Sequence, residues 1–273
     1  MSGNSRSRRR SSAPNTSWDH LATWYDGWVG DAGSRYHRAI AIPVLLELLD
    51  PRPGERILDV GCGQGVLAQS IHRAAAEYVG VDASPRMVSV AARRHGRDGR
   101  FVVGDARTLH TTSVGARPFD AATFLLSLQD MDDVGRVIRS VSGVLAARSR
   151  IVILLTHPAF RVPRHSGWGV DPERGLRYRR VDAYLTSMAV PLRGRPGSGP
   201  TTSFHRPLSV YVEALAAQGY AIDAVREPPD LPDAAGNPDI PIFLALRGRR
   251  GDANEQRRGP SAGTARAGSR RPR

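Results

Sequence analysis

An α/β fold built on a doubly wound, mostly parallel sheet is predicted by three features of this 273-residue sequence. Strand and helix signals alternate from Arg56 to Leu155 with the spacing of repeated β-α-β units. The first strand runs straight into three closely spaced glycines and then a helix. The fourth, Phe119 to Leu126, is an apolar run of the kind that crossover helices bury on both faces.

Each element follows from local chemistry. Asn15 to Val29 and Tyr36 to Leu49 read as two helices ahead of the sheet, and Pro51-Arg52-Pro53-Gly54 ends the second. Arg56 to Val60 is a strand, Val66 to Ala76 a helix and Tyr78 to Val81 the second strand. Ser84-Pro85 starts a helix to His95, with serine at the N-cap and proline in the first turn. Arg100 to Val103 is the third strand, Asp132 to Ala147 a helix and Arg150 to Leu155 the fifth strand. Residues 157–206 then break the rhythm with Pro, Gly, Trp and Arg. That stretch is too long for a plain loop and is expected to be an insertion, or lid, over the active site. A helix from Pro207 to Gln218 and strands Tyr220 to Arg226 and Ile240 to Leu246 close the domain, which is expected to span residues 15–248. Residues 1–14 and 249–273, rich in Arg, Ser, Gly and Pro, read as disordered basic tails.

The sharpest chemical signal is Ile57-Leu58-Asp59-Val60-Gly61-Cys62-Gly63-Gln64-Gly65. Glycines let the backbone turn tightly and let a ligand approach without a Cβ in the way, and the following helix offers unpaired N–H groups. The spacing is G-x-G-x-G with an acid ahead of it. A pyrophosphate-binding dinucleotide turn is G-x-G-x-x-G, so a nicotinamide dehydrogenase is disfavoured. Asp82 ends the second strand and Asp105 follows the third. Alone, either acid reads as a helix cap or turn residue. Together with the glycine turn, each at a strand's C-terminal end, they read as one nucleoside site. Asp82 would accept hydrogen bonds from the ribose hydroxyls, and Asp105 or a neighbouring backbone group would address an adenine.

On these residues the sequence resembles the class I S-adenosylmethionine-dependent methyltransferases. It is most similar to the bacterial small-molecule branch that includes the ubiquinone and menaquinone enzymes. Leu58 to Gly65 matches that family's first motif, Val79-Gly80-Val81-Asp82-Ala83-Ser84 its second and Gly104-Asp105-Ala106 its adenine step. Phe119 to Asp133 matches its fourth strand and following turn, with Gln129-Asp130 where many relatives carry His-His. The resemblance implies a Rossmann-like, seven-stranded sheet with the last strand antiparallel. It implies S-adenosyl-L-methionine as cofactor and S-adenosyl-L-homocysteine as product. Implied cofactor contacts are Asp59, Gly61, Cys62, Gly63, Gly65, Asp82, Ala83, Met87, Asp105, Ala106 and Leu126. Trp24-Tyr25-Asp26 resembles a segment that closes over the cofactor, so Tyr25 is a candidate for ordering cofactor or substrate.

Methyl transfer from a sulfonium is an in-line displacement with a neutral leaving group. Alignment and exclusion of water do most of the work, and a base is needed only where the nucleophile must lose a proton. The candidate bases are His157 after the fifth strand, His205 beside the insertion and His37 at the start of the second helix. Each reads equally as a capping or packing histidine. Asp130, Asp132 and Asp133 cluster, but the last two suit the first turn of the next helix, so no metal is expected.

Net charge is +13 and every basic residue is arginine. Residues 1–17 carry four arginines and no acid, and residues 247–273 carry nine against Asp252 and Glu255, so the tails hold 11 of the 13 net charges. The folded part is close to neutral, which favours a small-molecule acceptor. An RNA or DNA methyltransferase working through its tails, and a non-catalytic binder of the same cofactor, are the alternatives. No Asn/Asp-Pro-Pro-Tyr step follows the fourth strand, and the only cysteine, Cys62, lies in the glycine turn. No segment reads as a secretory signal or membrane span, and one cysteine permits no intrachain disulfide, so a cytoplasmic location is expected.

Overall fold

A computed structural model describes residues 18–22, 27, 29–192, 201–232 and 237–251. Its main sheet has seven strands. These are β1 (Arg56–Val60), β2 (Glu77–Asp82), β3 (Arg100–Val103), β4 (Phe119–Leu125), β5 (Leu145–Thr156), β10 (Tyr220–Arg226) and β11 (Phe243–Arg250). Their spatial order is β10-β11-β5-β4-β1-β2-β3. The first five run parallel, and β11 lies antiparallel to both β5 and β10. The chain order reverses between β1 and β4, the switch point where open α/β sheets bind ligands beyond the strands' C-terminal ends.

Alternation along the strands builds a core on each face. Leu58, Val60, Val79, Val81, Ile151 and Ile153 pack with helix residues Val137, Ile138, Tyr211 and Leu215. Their neighbours Ile57, Tyr78, Val152 and Leu154 pack on the other face with Leu45, Leu48, Leu67 and Ile71. All five residues of β1 are buried, so the sheet is covered on both sides there.

Helices follow the expected chemistry with shorter bounds. Pro85–His95 is capped by the Ser84 hydroxyl, which accepts from the Met87 amide. Val134–Ser142 is capped by the Asp133 carboxylate, which accepts from the Arg136 amide. Tyr36 to Leu49 divides into a π-helical turn, His37–Ala41, and an α-helix, Ile42–Leu49. Of the expected helix 15–29, residues 15–17, 23–26 and 28 lie outside the described residues, and Asp19–Leu21 forms a 3₁₀ turn.

Three features differ from the sequence reading, and the first is that Leu145 to Ala147, expected as the end of a helix, opens β5. The expected insertion holds two antiparallel hairpins, β6 (Ser166–Asp171) with β7 (Leu176–Val181) and β8 (Met188–Leu192) with β9 (Thr201–His205). The last strand begins at Phe243 and runs to Arg250, beyond the expected end at Leu246. Arg247 and Arg249 pair with Asp223, and Arg250 donates to the Leu145 and Ala146 carbonyls. Three arginines counted with the C-terminal tail are therefore sheet residues, because partners on β10 and β5 hold them.

Arg150 joins the sheet to the helix before it. Its guanidinium forms a two-pronged pair with Glu55 at 2.8 and 2.5 Å and donates to the Leu49 and Asp50 carbonyls. Arg150→Ala leaves Glu55 and two carbonyls without this donor, so about 2–3 kcal/mol of stability should be lost. Urea unfolding of the two proteins measures it.

Candidate functional site

The glycine turn is anchored to its neighbouring strand. The amides of Gly61 and Cys62 both donate to the Val81 carbonyl, at 2.7 and 3.0 Å, so the turn folds back over the tip of β2. Gly61 has φ +71°, and a Cβ there would lie 2.6 Å from the Ser127 Cβ and 2.8 Å from the end of Met131. Gly65 has φ +80°, and a Cβ there would lie 2.6 Å from the Phe101 ring. Both positions need glycine for backbone conformation and for close packing against protein. The turn after β4 is tied in as well, because the Ser127 hydroxyl donates to the Val60 carbonyl at 2.6 Å.

A cavity of about 580 Å³ opens at this edge of the sheet, within the size range of small-molecule sites. Gly61, Cys62, Gly63, Asp82, Ala83 and Met87 form one side. Leu126, Ser127, Gln129, Asp130 and Met131 form the floor. Tyr36, His37, Arg161, Ser203 and Phe243 line the rest.

Three carboxyl groups in this cavity differ sharply. Asp59 is buried, with one oxygen accepting from the Tyr78 hydroxyl at 2.7 Å and the other from the Thr123 hydroxyl at 3.1 Å. Burial outweighs these bonds and lifts its pKa to about 6. Asp82 accepts from the Gly63 amide at 2.9 Å on one oxygen and from the Ser84 amide at 2.8 Å on the other. Each oxygen retains acceptor capacity beyond that bond. Burial raises its pKa against the pull of both amides. Burial outweighs the influence of the nearby Ser203 hydroxyl on Asp130 and raises its pKa to about 7.

The sequence-selected residues separate in space. Asp59, Gly61, Cys62, Gly63, Asp82, Ala83, Met87, Leu126 and His37 share the cavity. Burial pushes the Cys62 thiol well up, which leaves it an inert wall. Gly65 lies behind the turn against Phe101. Asp105 and Ala106 lie outside the cavity lining. The Asp105 carboxylate caps the turn after β3 and is gripped by the Arg107 guanidinium at 2.7 Å, which also reaches Asp132 at 2.9 Å. Arg107 engages the Asp105 carboxylate, one of the two groups, with a neighbouring backbone group, that the sequence reading offered to an adenine.

Of the three histidines, only His37 lines the cavity. Its Nδ1 lies 2.8 Å from the Ser34 hydroxyl, and burial drops its pKa to about 4. His157 lies 2.7 Å from Glu227 through Nε2, and its Nδ1 accepts from the Ala159 amide. His205 donates from Nε2 to the Tyr184 carbonyl at 2.7 Å. Both are buried joints of the insertion. Tyr25 lies outside the described residues. Among the described residues, no three His, Cys, Asp or Glu side chains form a group that could hold a metal ion.

Sequence reasoning passed over Tyr36, Arg161, Ser203, Phe243 and the depth of Asp130. Arg161 and Ser203 come from the insertion, whose path no local pattern reveals. Gln129-Asp130 did carry a signal, the departure from His-His.

A nucleoside bearing a sulfonium fits this donor set. The cavity presents the Asp82 carboxylate to a diol, an apolar wall of Ala83 and Met87, and backbone at Gly61 and Gly63.

Comparison with known proteins agrees with the geometry. Residues 57–148 match a methyltransferase-domain family. The ubiquinone biosynthesis O-methyltransferase of Hahella chejuensis is 36% identical over 107 residues, 37% of this chain and 44% of that protein. The chain spans about half the length of the curated relatives it matches. An S-adenosylmethionine-dependent methyltransferase from Mesorhizobium loti superposes with TM-score 0.66 at 29% identity, covering 76% of this chain and 96% of that one. The fold is also that of DhpI, solved with S-adenosylhomocysteine, at TM-score 0.52 and 19% identity, over 86% of this chain and 93% of DhpI.

The Asp130 carboxyl generates a pH prediction. Its folded pKa of about 7 lies above the ordinary 3.8, so the folded state holds the proton more tightly than the unfolded state. Stability therefore falls as pH rises from about 4 to about 7, then levels off. Asparagine imitates the protonated acid. Asp130→Asn should therefore be more stable than the parent by about 1–2 kcal/mol at pH ~8, a value reduced for partial exposure to the cavity. At pH ~4 the two should be equal. Denaturant melts at both pH values measure the difference.

Proposed function

We propose that the chain is a class I S-adenosylmethionine-dependent methyltransferase and that it transfers a methyl group from S-adenosylmethionine to a small-molecule acceptor. One observation carries this reading: the glycine turn and Asp82 line the same cavity as Gln129, Asp130, Arg161 and Ser203. A single chamber can therefore hold a nucleoside at one end and an acceptor at the other.

When bound, the cofactor supplies an activated methyl carbon on a sulfonium sulfur. Asp82 would hold the ribose hydroxyls on the acceptor capacity its two amide bonds leave open. Asp59 is a positioning residue, since both its oxygens are engaged by Tyr78 and Thr123 under the turn. Arg161, Pro163 and Ser203 bring the insertion onto the cavity, where it would act as a lid that excludes water and fixes the acceptor's approach. Two hydrogen bonds tie it to the turn after β4. Arg206 donates to the Met131 carbonyl at 2.6 Å, and Ser203 reaches the Gln129 carbonyl at 3.5 Å. The O-methylation printed in the relatives' names favours oxygen as the nucleophile. A reducing cytoplasm suits the lone, buried Cys62.

The test is calorimetric titration with S-adenosylhomocysteine, followed by methyl transfer to candidate acceptors. Asp82→Ala should weaken product binding by about 1–3 kcal/mol, because the sugar hydroxyls lose a charged acceptor. Unchanged affinity would remove Asp82 from the site, and no binding by the parent protein would refute the proposal.

A further inference from the structure

We propose that Gln64 holds the amino-acid end of the cofactor, its side-chain amide nitrogen donating to the carboxylate of S-adenosylmethionine. This rests on the methyltransferase reading above and gives a role to the one residue between Gly63 and Gly65, which that reading leaves without one.

Gln64 lines the cavity and is 2% exposed. The Arg94 guanidinium, from the last turn of the helix Pro85–His95, donates to Gln64 Oε1 at 3.1 Å. A guanidinium has only donors, so the atom it meets is the amide oxygen. That contact fixes which way the amide faces and leaves Nε2 on the other side. Nε2 is buried without a hydrogen-bond partner. A buried donor in the wall of a ligand cavity is short of an acceptor, and a ligand anion supplies the strongest one.

Other donors around the turn are spent. The amides of Gly61 and Cys62 go to the Val81 carbonyl, that of Gly63 to Asp82 and that of Gly65 to the Cys62 carbonyl at 2.9 Å. On the floor, Ser127 donates to the Val60 carbonyl and Gln129 Nε2 to the Leu126 carbonyl. What Gln129 keeps unpartnered is its oxygen, which suits a donor and repels a carboxylate. Arg161 belongs to the insertion and is paired with Asp230. His37, with a pKa of about 4, carries no charge at neutral pH.

The cofactor matches this arrangement. Its single anionic group is the carboxylate of its methionine half, and its ribose hydroxyls have Asp82 as an acceptor. An amide donor with a guanidinium behind it is complementary to that carboxylate. Arg94 also pairs with Asp31 at 2.6 Å, on the segment ahead of the π-helical turn. Arg94 is therefore a positioning residue. It orients the amide and ties that segment to the glycine turn.

The experiment is calorimetric titration of the parent protein, Gln64→Ala, Gln64→Glu and Arg94→Ala with three probes. S-adenosylhomocysteine has the whole amino-acid end, its decarboxylated analogue keeps the ammonium alone, and methylthioadenosine has neither. All three share the adenosine and the sulfur. The parent should bind S-adenosylhomocysteine more tightly than either analogue. Gln64→Ala should weaken that binding about 10- to 100-fold, the range of a hydrogen bond to a charged group, and move the analogues by less than about twofold. Gln64→Glu keeps the shape and the Arg94 contact but sets one carboxylate against another, so it should lose at least as much. Arg94→Ala should weaken S-adenosylhomocysteine about 3- to 10-fold and spare the analogues, since the amide stays in place without its orientation. Binding of the analogues also reports that each variant keeps a folded site. Equal losses on all three probes in both Gln64 variants would overturn the proposal, and the same pattern in Arg94→Ala would reduce Arg94 to a structural support. A matching loss on the decarboxylated analogue would move the contact to the ammonium and overturn the carboxylate assignment. A parent that binds S-adenosylhomocysteine no more tightly than methylthioadenosine would also overturn it. Failure of the parent to bind any of the three would instead bring down the methyltransferase proposal itself.

Discussion

The site depends on one carbonyl. Val81, at the tip of β2, accepts the amides of both Gly61 and Cys62 and so draws the glycine turn across the neighbouring strand. The next amide in the turn, Gly63, reaches the Asp82 carboxylate one residue further on. Three N–H groups that a tight turn would leave without strand partners are thereby satisfied by two consecutive residues of β2. The same bonds fix Asp82 at the cavity's edge. The turn that shapes the cofactor end and the acid that would grip the sugar are thus one hydrogen-bonded unit.

That unit sits on a costly foundation. Asp59 and Asp130 are carboxyls that burial pushes toward neutrality, to about 6 and about 7. Their different surroundings give them different uses. Asp59 is enclosed by Tyr78 and Thr123 and fixes the base of the turn. Asp130 lines the cavity together with Ser203. A carboxyl kept there at the expense of stability is the kind of local conflict that marks functional positions.

The parallel part of the fold was legible because its signals are local. Arg56–Val60 and Arg100–Val103 form the strands read from their apolar runs, and Ser84 caps the helix that its Ser-Pro step announced. The meeting of the glycine turn with Asp82 was legible for the same reason, since they lie at the ends of neighbouring strands. Asp105 shows where motif reasoning stops. Its place after β3 matched, but Arg107, two residues later, takes its carboxylate. The histidines show it again. His157 and His205 were chosen for their positions near the sheet edge, yet Glu227 after β10 and the Tyr184 carbonyl in the insertion hold them as buried hydrogen-bonded side chains. Such partners are 21 or more residues away in sequence, where no periodicity reports them.

The acceptor end was hidden because it is assembled from segments that share no local pattern. Gln129 and Asp130 come from the turn after β4, Ser203 from β9, Arg161 from the start of the insertion, and Phe243 from the first residue of β11. The Leu126 backbone, at φ +53°, turns the chain from β4 toward the cavity, and Ser127 bonds that turn to the end of β1. The floor is therefore held by the same strand that carries the glycine turn, while the roof is free to vary with the insertion. Changes in the insertion would alter what stands over Asp130 and leave the bonds around Val81 untouched.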